Sequence, residues 1–368
     1  MLVVVQVAVA LGARLQQVDP AHAADYAKAR AMIGAAETAV AVNGTERERS
    51  HVEALARSIR GNSAGALEQV LTHVELWPRD ASILALPLGA FGLFAFSGMS
   101  GHSQAGVDLC ERMAPHYGED WWFLTYLGWA HTENLNLAHG RAVTERGFEL
   151  RPSSAHGLHA LAHALFEDGS VGEADDLITG WLPDYDRAGI LHGHISWHLA
   201  LTALEAGDAD RALEIYLEGV RPSVSQALPI NTVTDGAALL WRLRAYGQAA
   251  PAPLWDELSQ FSTSAFPNPG LAFVEAHMAL IAAATGGRDQ LAAERLAALA
   301  PGPVVTPALA EYVERLLAIT VARCAVCLEP AAGMHPGCAT LHAEQLAAAI
   351  AAGAVVDGTI HHGARRRR

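Results

Sequence analysis

Cysteine is scarce in this chain: four occur in 368 residues, and three of them, Cys324, Cys327 and Cys338, lie close together near the C-terminus. So few thiols over this length exclude a disulfide framework, and a reducing cytoplasm fits that usage best. Charge is also sparse, at 17% of residues, and its balance is acidic, with a formal net charge of −14. That balance excludes the basic face a nucleic-acid partner requires. No segment has the ~20 uninterrupted apolar residues of a membrane span. The opening MLVVVQVAVALGARLQQ is apolar but short, with Gln6 inside it and no basic residue before it. It reads as an ordinary first helix in preference to a secretory signal, although Ala21-His22-Ala23 has the small-residue pattern of a cleavage site. Strand signals are nearly absent. So are a nucleophile elbow, a phosphate loop, a dinucleotide fingerprint and a His-Glu-x-x-His helix, which argues against covalent serine chemistry, nucleotide-dependent chemistry and a zincin.

Apolar residues are abundant, at 51%, and much of the chain is Ala- and Leu-rich at helical spacing. Residues 1–46 read as N-terminal helices, broken near Asn43-Gly44. From Arg47 a longer rhythm begins: helix, Gly/Asn turn, helix, proline. Its closing prolines are Pro78, Pro115, Pro152, Pro183 and Pro222, at spacings of 37, 37, 31 and 39 residues. Ala105, Ala142, Ala174 and Ala212 stand nine or ten residues before four of them. Small residues where two helices touch, and proline ending the second, describe a degenerate helix-turn-helix repeat near the ~34-residue period of tetratricopeptide arrays. The expected fold is all-α: a repeat array over residues 47–300, stacked into a curved solenoid with a concave pocket, then C-terminal helices and a basic tail over residues 301–368. In such a stack the first helix of each pair faces the groove.

The most informative stretch runs from His156 to His198. Residues three, four and seven apart share one helix face, so His156, His159 and His163 form one stripe, and His194 and His198 form another on a neighbouring first helix. A single histidine on an Ala/Leu face is usually a satisfied core residue. Several converging ones are candidates for acid/base or metal chemistry. The preceding first helix carries Tyr126, Trp129 and Glu133 at i, i+3 and i+7, a mixed stripe that suits a pocket wall. Asp184 and Asp186, in the link between the histidine helices, are candidates either to cap the next helix or to orient an imidazole. Thr234 or Asp235 looks like the cap of a later helix that runs through Trp241 and Arg242, and Glu275 and His277 sit on the last first helix.

These segments together, HALAHALFEDGSVGEADDLITGWLPDYD, HISWHLALTALEAGDADRALEIYLEGV, TDGAALLWRLRAYG and FVEAHMALIAAATGGRDQ, resemble the tetratricopeptide repeat protein 38 family over roughly residues 47–300. The matching positions are His159 and His163, Trp197 and His198, Asp235 with Trp241 and Arg242, and Glu275 with His277. The resemblance implies a helical-repeat fold and no defined activity. The chain departs from the family pattern at Gly193-His194-Ile195-Ser196, where a more aromatic run is usual, and in lacking a recognisable motif after the last repeat.

The functional expectation is a small-molecule ligand bound in the groove. His163, His198, His159, His194 and Asp235 would do acid/base chemistry, as an isomerase, lyase or hydrolase, while Tyr126, Trp129, Glu133, Trp197, Trp241, Arg242, Glu275 and His277 would bind. A divalent metal held by the His-x-x-x-His stripes is a variant of the same idea. At the C-terminal end, Cys324, Cys327, His335 and Cys338 have the spacing C-x2-C-x7-H-x2-C, which suits zinc. The alternative is a non-catalytic scaffold for a peptide or protein partner. No nucleic acid and no membrane are expected as partners, and a homodimer is left open.

Overall fold

In the computed structural model the described residues are 20–285, apart from 96, 98, 100, 246, 247, 249 and 269–271. The first-helix reading of MLVVVQVAVALGARLQQ, the Cys324–Cys338 motif and the basic tail lie outside them. Among the described residues the chain is all-α, with no strand. The helices are α1 (Pro20–Asn43), α2 (Glu46–Arg60), α3 (Ser63–Leu76), α4 (Ala81–Leu84), α5 (His102–Tyr117), α6 (Trp121–Glu133) and α7 (Leu137–Leu150), then α8 (Ala155–Asp168), α9 (Val171–Trp181), α10 (His192–Glu205), α11 (Ala209–Ile215), α12 (Pro229–Ala245), α13 (Ala252–Ala265) and α14 (Ala272–Ala284). They stack as helix pairs of tetratricopeptide type, and consecutive first helices (α6 on α8, α10 on α12, α12 on α14) pack along one side of the stack. No helix among the described residues is long and apolar enough to cross a membrane.

Local chemistry explains the pairing. First helices start on side-chain caps: Thr45, Asp120 and Ser154 accept from the N–H groups of Glu48, Phe123 and Gly157, satisfying donors that the helix start leaves open. Within pairs, the turn repeats a glycine followed by a polar residue. Gly61, Gly169 and Gly207 adopt φ of 88°, 95° and 82°, left-handed values that cost glycine nothing. Asn62 and Asp208 then cap the second helix by accepting from Gly65 and Arg211. The α6–α7 turn is the exception, because Leu135 takes the left-handed place with φ 68° and is half exposed. A side chain costs roughly 1–2 kcal/mol there. Leu135→Gly is therefore expected to stabilise the chain by about 1 kcal/mol despite its added unfolded-state entropy. A lower denaturation midpoint in urea would contradict this.

Three expectations change in detail. Pro115 does not end its helix but lies inside the last turn of α5. The first helix of the second pair is cut to α4, four residues long. Pro87 stands three residues after its end, and the backbone turns at Gly89, with φ 80°, so a helical run cannot continue. Finally, Thr234 and Asp235 do not cap α12, which starts earlier, at Pro229. They lie one turn inside it, where Thr234 Oγ1 donates back to the Ile230 carbonyl and the Asp235 carboxylate is released for a tertiary contact.

Two large apolar cores follow the chain, one built from residues between Ala29 and Ala130 and the other from Phe166 to Ile281. The histidine helices lie where the first gives way to the second. Helix α10 is buried along nearly its whole length, from His192 to Leu204, so polar groups on it must find partners inside the protein.

Candidate functional site

Four imidazoles meet between α8 and α10. His159 Nε2 lies 3.1 Å from His198 Nε2, 3.1 Å from His163 Nε2 and 3.0 Å from His194 Nε2. The i, i+4 spacing on each helix puts two rings one above the other, and the first-helix packing brings the two pairs face to face. His163, His194 and His198 are buried, whereas His159 keeps partial solvent access. Burial, with the charges of His163 and His194 next, pushes the His159 imidazole well below its ordinary value, so that it is neutral at pH 7.

Carboxylates stand behind two of the four rings. Asp235, from α12, places Oδ2 2.8 Å from His194 Nδ1, and Glu133, the last residue of α6, places Oε1 3.3 Å from His163 Nδ1. An ionised carboxylate only accepts, so Nδ1 of His194 carries the proton and its Nε2 presents a lone pair to the cluster, whereas Glu133 stands at ion-pair distance from His163. Trp129 covers the outer side, its ring 5.1 Å from His159 at 27° and 4.5 Å from His163. Tyr126, one turn before it and half-buried, has its phenol pushed up by burial. Groups from α6, α8, α10 and α12 thus converge on one point.

His156 does not join its stripe-mates. It stays solvent-exposed, while desolvation by the surrounding wall still lowers its imidazole. Trp197 and Trp241 are core residues: Trp197 is fully buried behind His194, and Trp241 packs edge-on against Trp255. Arg242 places its guanidinium carbon 5.7 Å above the Trp197 ring. On α14, His277 donates from Nδ1 to the Phe273 carbonyl of its own helix, at 2.7 Å, and Glu275 is buried. Asp186 accepts locally from the Ala188 N–H and Asp184 ends a short 3-10 turn. The carboxylate that hydrogen-bonds an imidazole of the cluster is instead Asp235, with Glu133 at ion-pair distance from His163.

No family model matches the chain. A tetratricopeptide repeat protein from Parabacteroides merdae, known from its crystal structure, is similar at 11% identity and a TM-score of 0.44, covering 81% of this chain and 93% of that one.

Sequence reading missed two further groups. On α2 and α3, Asp80 Oδ2 takes His51 Nδ1 at 3.0 Å, His73 Nε2 at 3.3 Å and Arg47 Nη2 at 2.9 Å. Glu111, His131 and His139 cluster between α5, α6 and α7. In the first, Arg47 already supplies a cation to the oxygen a metal would need. In the second, Asn136 Nδ2 donates to His131 Nδ1 at 3.3 Å, leaving Nε2–H for Glu111 Oε1 at 2.8 Å, an ordinary hydrogen-bonded pair. The spacings Arg47-x3-His51 and His73-x6-Asp80 were visible, but nothing in them says that both helices meet one carboxylate.

Proposed function

We propose that the concave side of α6, α8 and α10 binds a small molecule and that the imidazole cluster moves a proton on it, directly or through a water it activates. The observation that carries this reading is the hydrogen bond between His194 Nδ1 and Asp235, with Glu133 at ion-pair distance from His163 Nδ1. A carboxylate at Nδ1 fixes the tautomer and makes Nε2 a better base. His159, the accessible ring of the four, stands between these bases and the Trp129–Tyr126 wall, where a substrate would lie. The chemistry on offer is proton abstraction beside a carbonyl or hydrolysis. Membership of the tetratricopeptide repeat protein 38 family is part of the same proposal. Its support is that His159, His163, His198 and Asp235, from segments far apart in the chain, are neighbours in space. A reducing, cytoplasmic setting is likewise proposed, in keeping with Cys110, a buried free thiol pushed up to about 12 by burial.

The test is an NMR screen of neutral esters, amides and hydroxyketones against the wild type and His159→Gln. Turnover of at least one class, lowered about 100-fold or more in the variant, is the expected result. A protein that turns over no member, yet binds peptides along the same face equally well with and without His159, is a scaffold and the proposal fails.

A further inference from the structure

We infer that the four histidines hold a divalent transition-metal ion, ligated by Nε2 of His159, His163, His194 and His198. This rests on the reading of the cluster as the working site and commits to its water-activating form, because an Nε2 that ligates an ion cannot itself take a proton. The argument starts from hydrogen-bond capacity. The Nε2 atom of His194 presents a lone pair, because its Nδ1–H faces Asp235. His159 Nε2 faces Nε2 of His194, His163 and His198 at 3.0–3.1 Å. A neutral imidazole nitrogen has one hydrogen or one lone pair, so it serves at most one of those three contacts. Protons alone therefore match at most one of these three close nitrogen–nitrogen contacts. One cation at the centre satisfies all four.

The spacing agrees. Nitrogen ligands at 2.0–2.1 Å around a tetrahedral ion stand roughly 3.3 Å apart, and the three contacts to His159 are only slightly closer. All four ligand atoms lie within 4.8 Å of one another. The electrostatics agree too, since the two carboxylates behind neutral imidazoles balance a doubly charged ion. They also form the carboxylate–histidine arrangement that orients metal ligands. An all-imidazole set suits zinc, iron(II), nickel or copper, and not magnesium or calcium, which take oxygen. Access is on the side of His159, the one residue of the four that is not fully buried, and an ion that expands to a fifth ligand would take it there, against Trp129.

The experiment is metal analysis of the full chain purified without an affinity tag, followed by chelation and titration with cobalt(II) read by its visible spectrum. One molar equivalent in a nitrogen field is expected. Uptake should vanish in His159→Ala and in His198→Ala. Asp235→Asn, which keeps the shape but not the charge, should weaken it about 10- to 100-fold. His131→Ala and the paired change Cys324→Ser with Cys327→Ser should retain it, which assigns the ion to this cluster. If an alanine variant does not fold by circular dichroism, His159→Gln replaces it. A folded wild type that takes up no ion, or a His159 variant that still takes up one through this cluster, overturns the inference. A protein that loads the ion but acts on no small molecule keeps the metal site and loses the catalytic proposal. Turnover that depends on His159 without any ion does the reverse.

Discussion

Trp197→Ala should cost about 4 kcal/mol of stability, the middle of the range for a buried aromatic truncated to alanine, and it should disorder the imidazole cluster with it. The side chain is fully buried in the middle of α10. Its ring lies 5.5 Å from His194 at 11° and 4.9 Å from His198 at 76°, while Arg242 sits on it at 5.7 Å. Removing it deletes the plate against which His194 is held for Asp235, and α10 is enclosed on too many sides for the space to close easily. Trp197→Phe keeps most of the buried area and the stacking and should cost less than about 2 kcal/mol. Urea denaturation measures the difference. A loss under about 1 kcal/mol for the alanine variant would mean that the ring does not support the core as described. The role proposed for Trp197 from sequence, contact with a ligand, differs from this one. A ligand-contact role would leave stability nearly unchanged.

The contrast shows which parts of the site could be read from sequence. His159 and His163, and His194 and His198, share faces because helical spacing is a local property, and the prolines and glycines that end and turn the helices are local too. The repeat period then places α8 and α10 as neighbours. What periodicity cannot supply is the partner across the stack. Asp184 and Asp186 are near the histidines in sequence but spend themselves on their own turn, whereas Asp235 arrives from α12, 41 residues after His194. It looked like a cap because Thr-Asp before an apolar run usually is one. The helix had in fact begun at Pro229, a residue suited to a first turn, and that shift of one turn converts a capping carboxylate into a tertiary one. Trp197 and Trp241 were misplaced for a related reason: an aromatic beside a histidine looks the same in sequence whether it lines a groove or backs it. The loss of a full first helix after α3 was legible in principle from Pro87, Gly89 and Gly92.

Asp80 carries the second large effect, and it acts through pH. Burial pushes its carboxyl up, but the hydrogen bonds from His51, His73 and Arg47, with the charge of His51, outweigh that and hold it far below the usual carboxylate range. Its side chain is 4% exposed, so the three partners reach it with little competition from water. A folded-state value below the unfolded one means that the native chain binds fewer protons. The stabilisation is therefore fully present above the unfolded value near pH 4 and is lost as pH falls below it. Asp80→Asn removes the negative charge while leaving a group of the same size, and it strands His51 and His73 beside Arg47. Breaking a buried charged network in this way costs about 3 kcal/mol, discounted from the upper range because Arg47 remains half exposed. The loss should be fully present above about pH 5, and the gap between the wild-type and variant denaturation midpoints should narrow progressively as the solution is acidified from pH 4 to pH 2, still open at pH 2 because the folded-state value lies lower. Parallel curves over that interval would show that Asp80 contributes through shape and not through its charge.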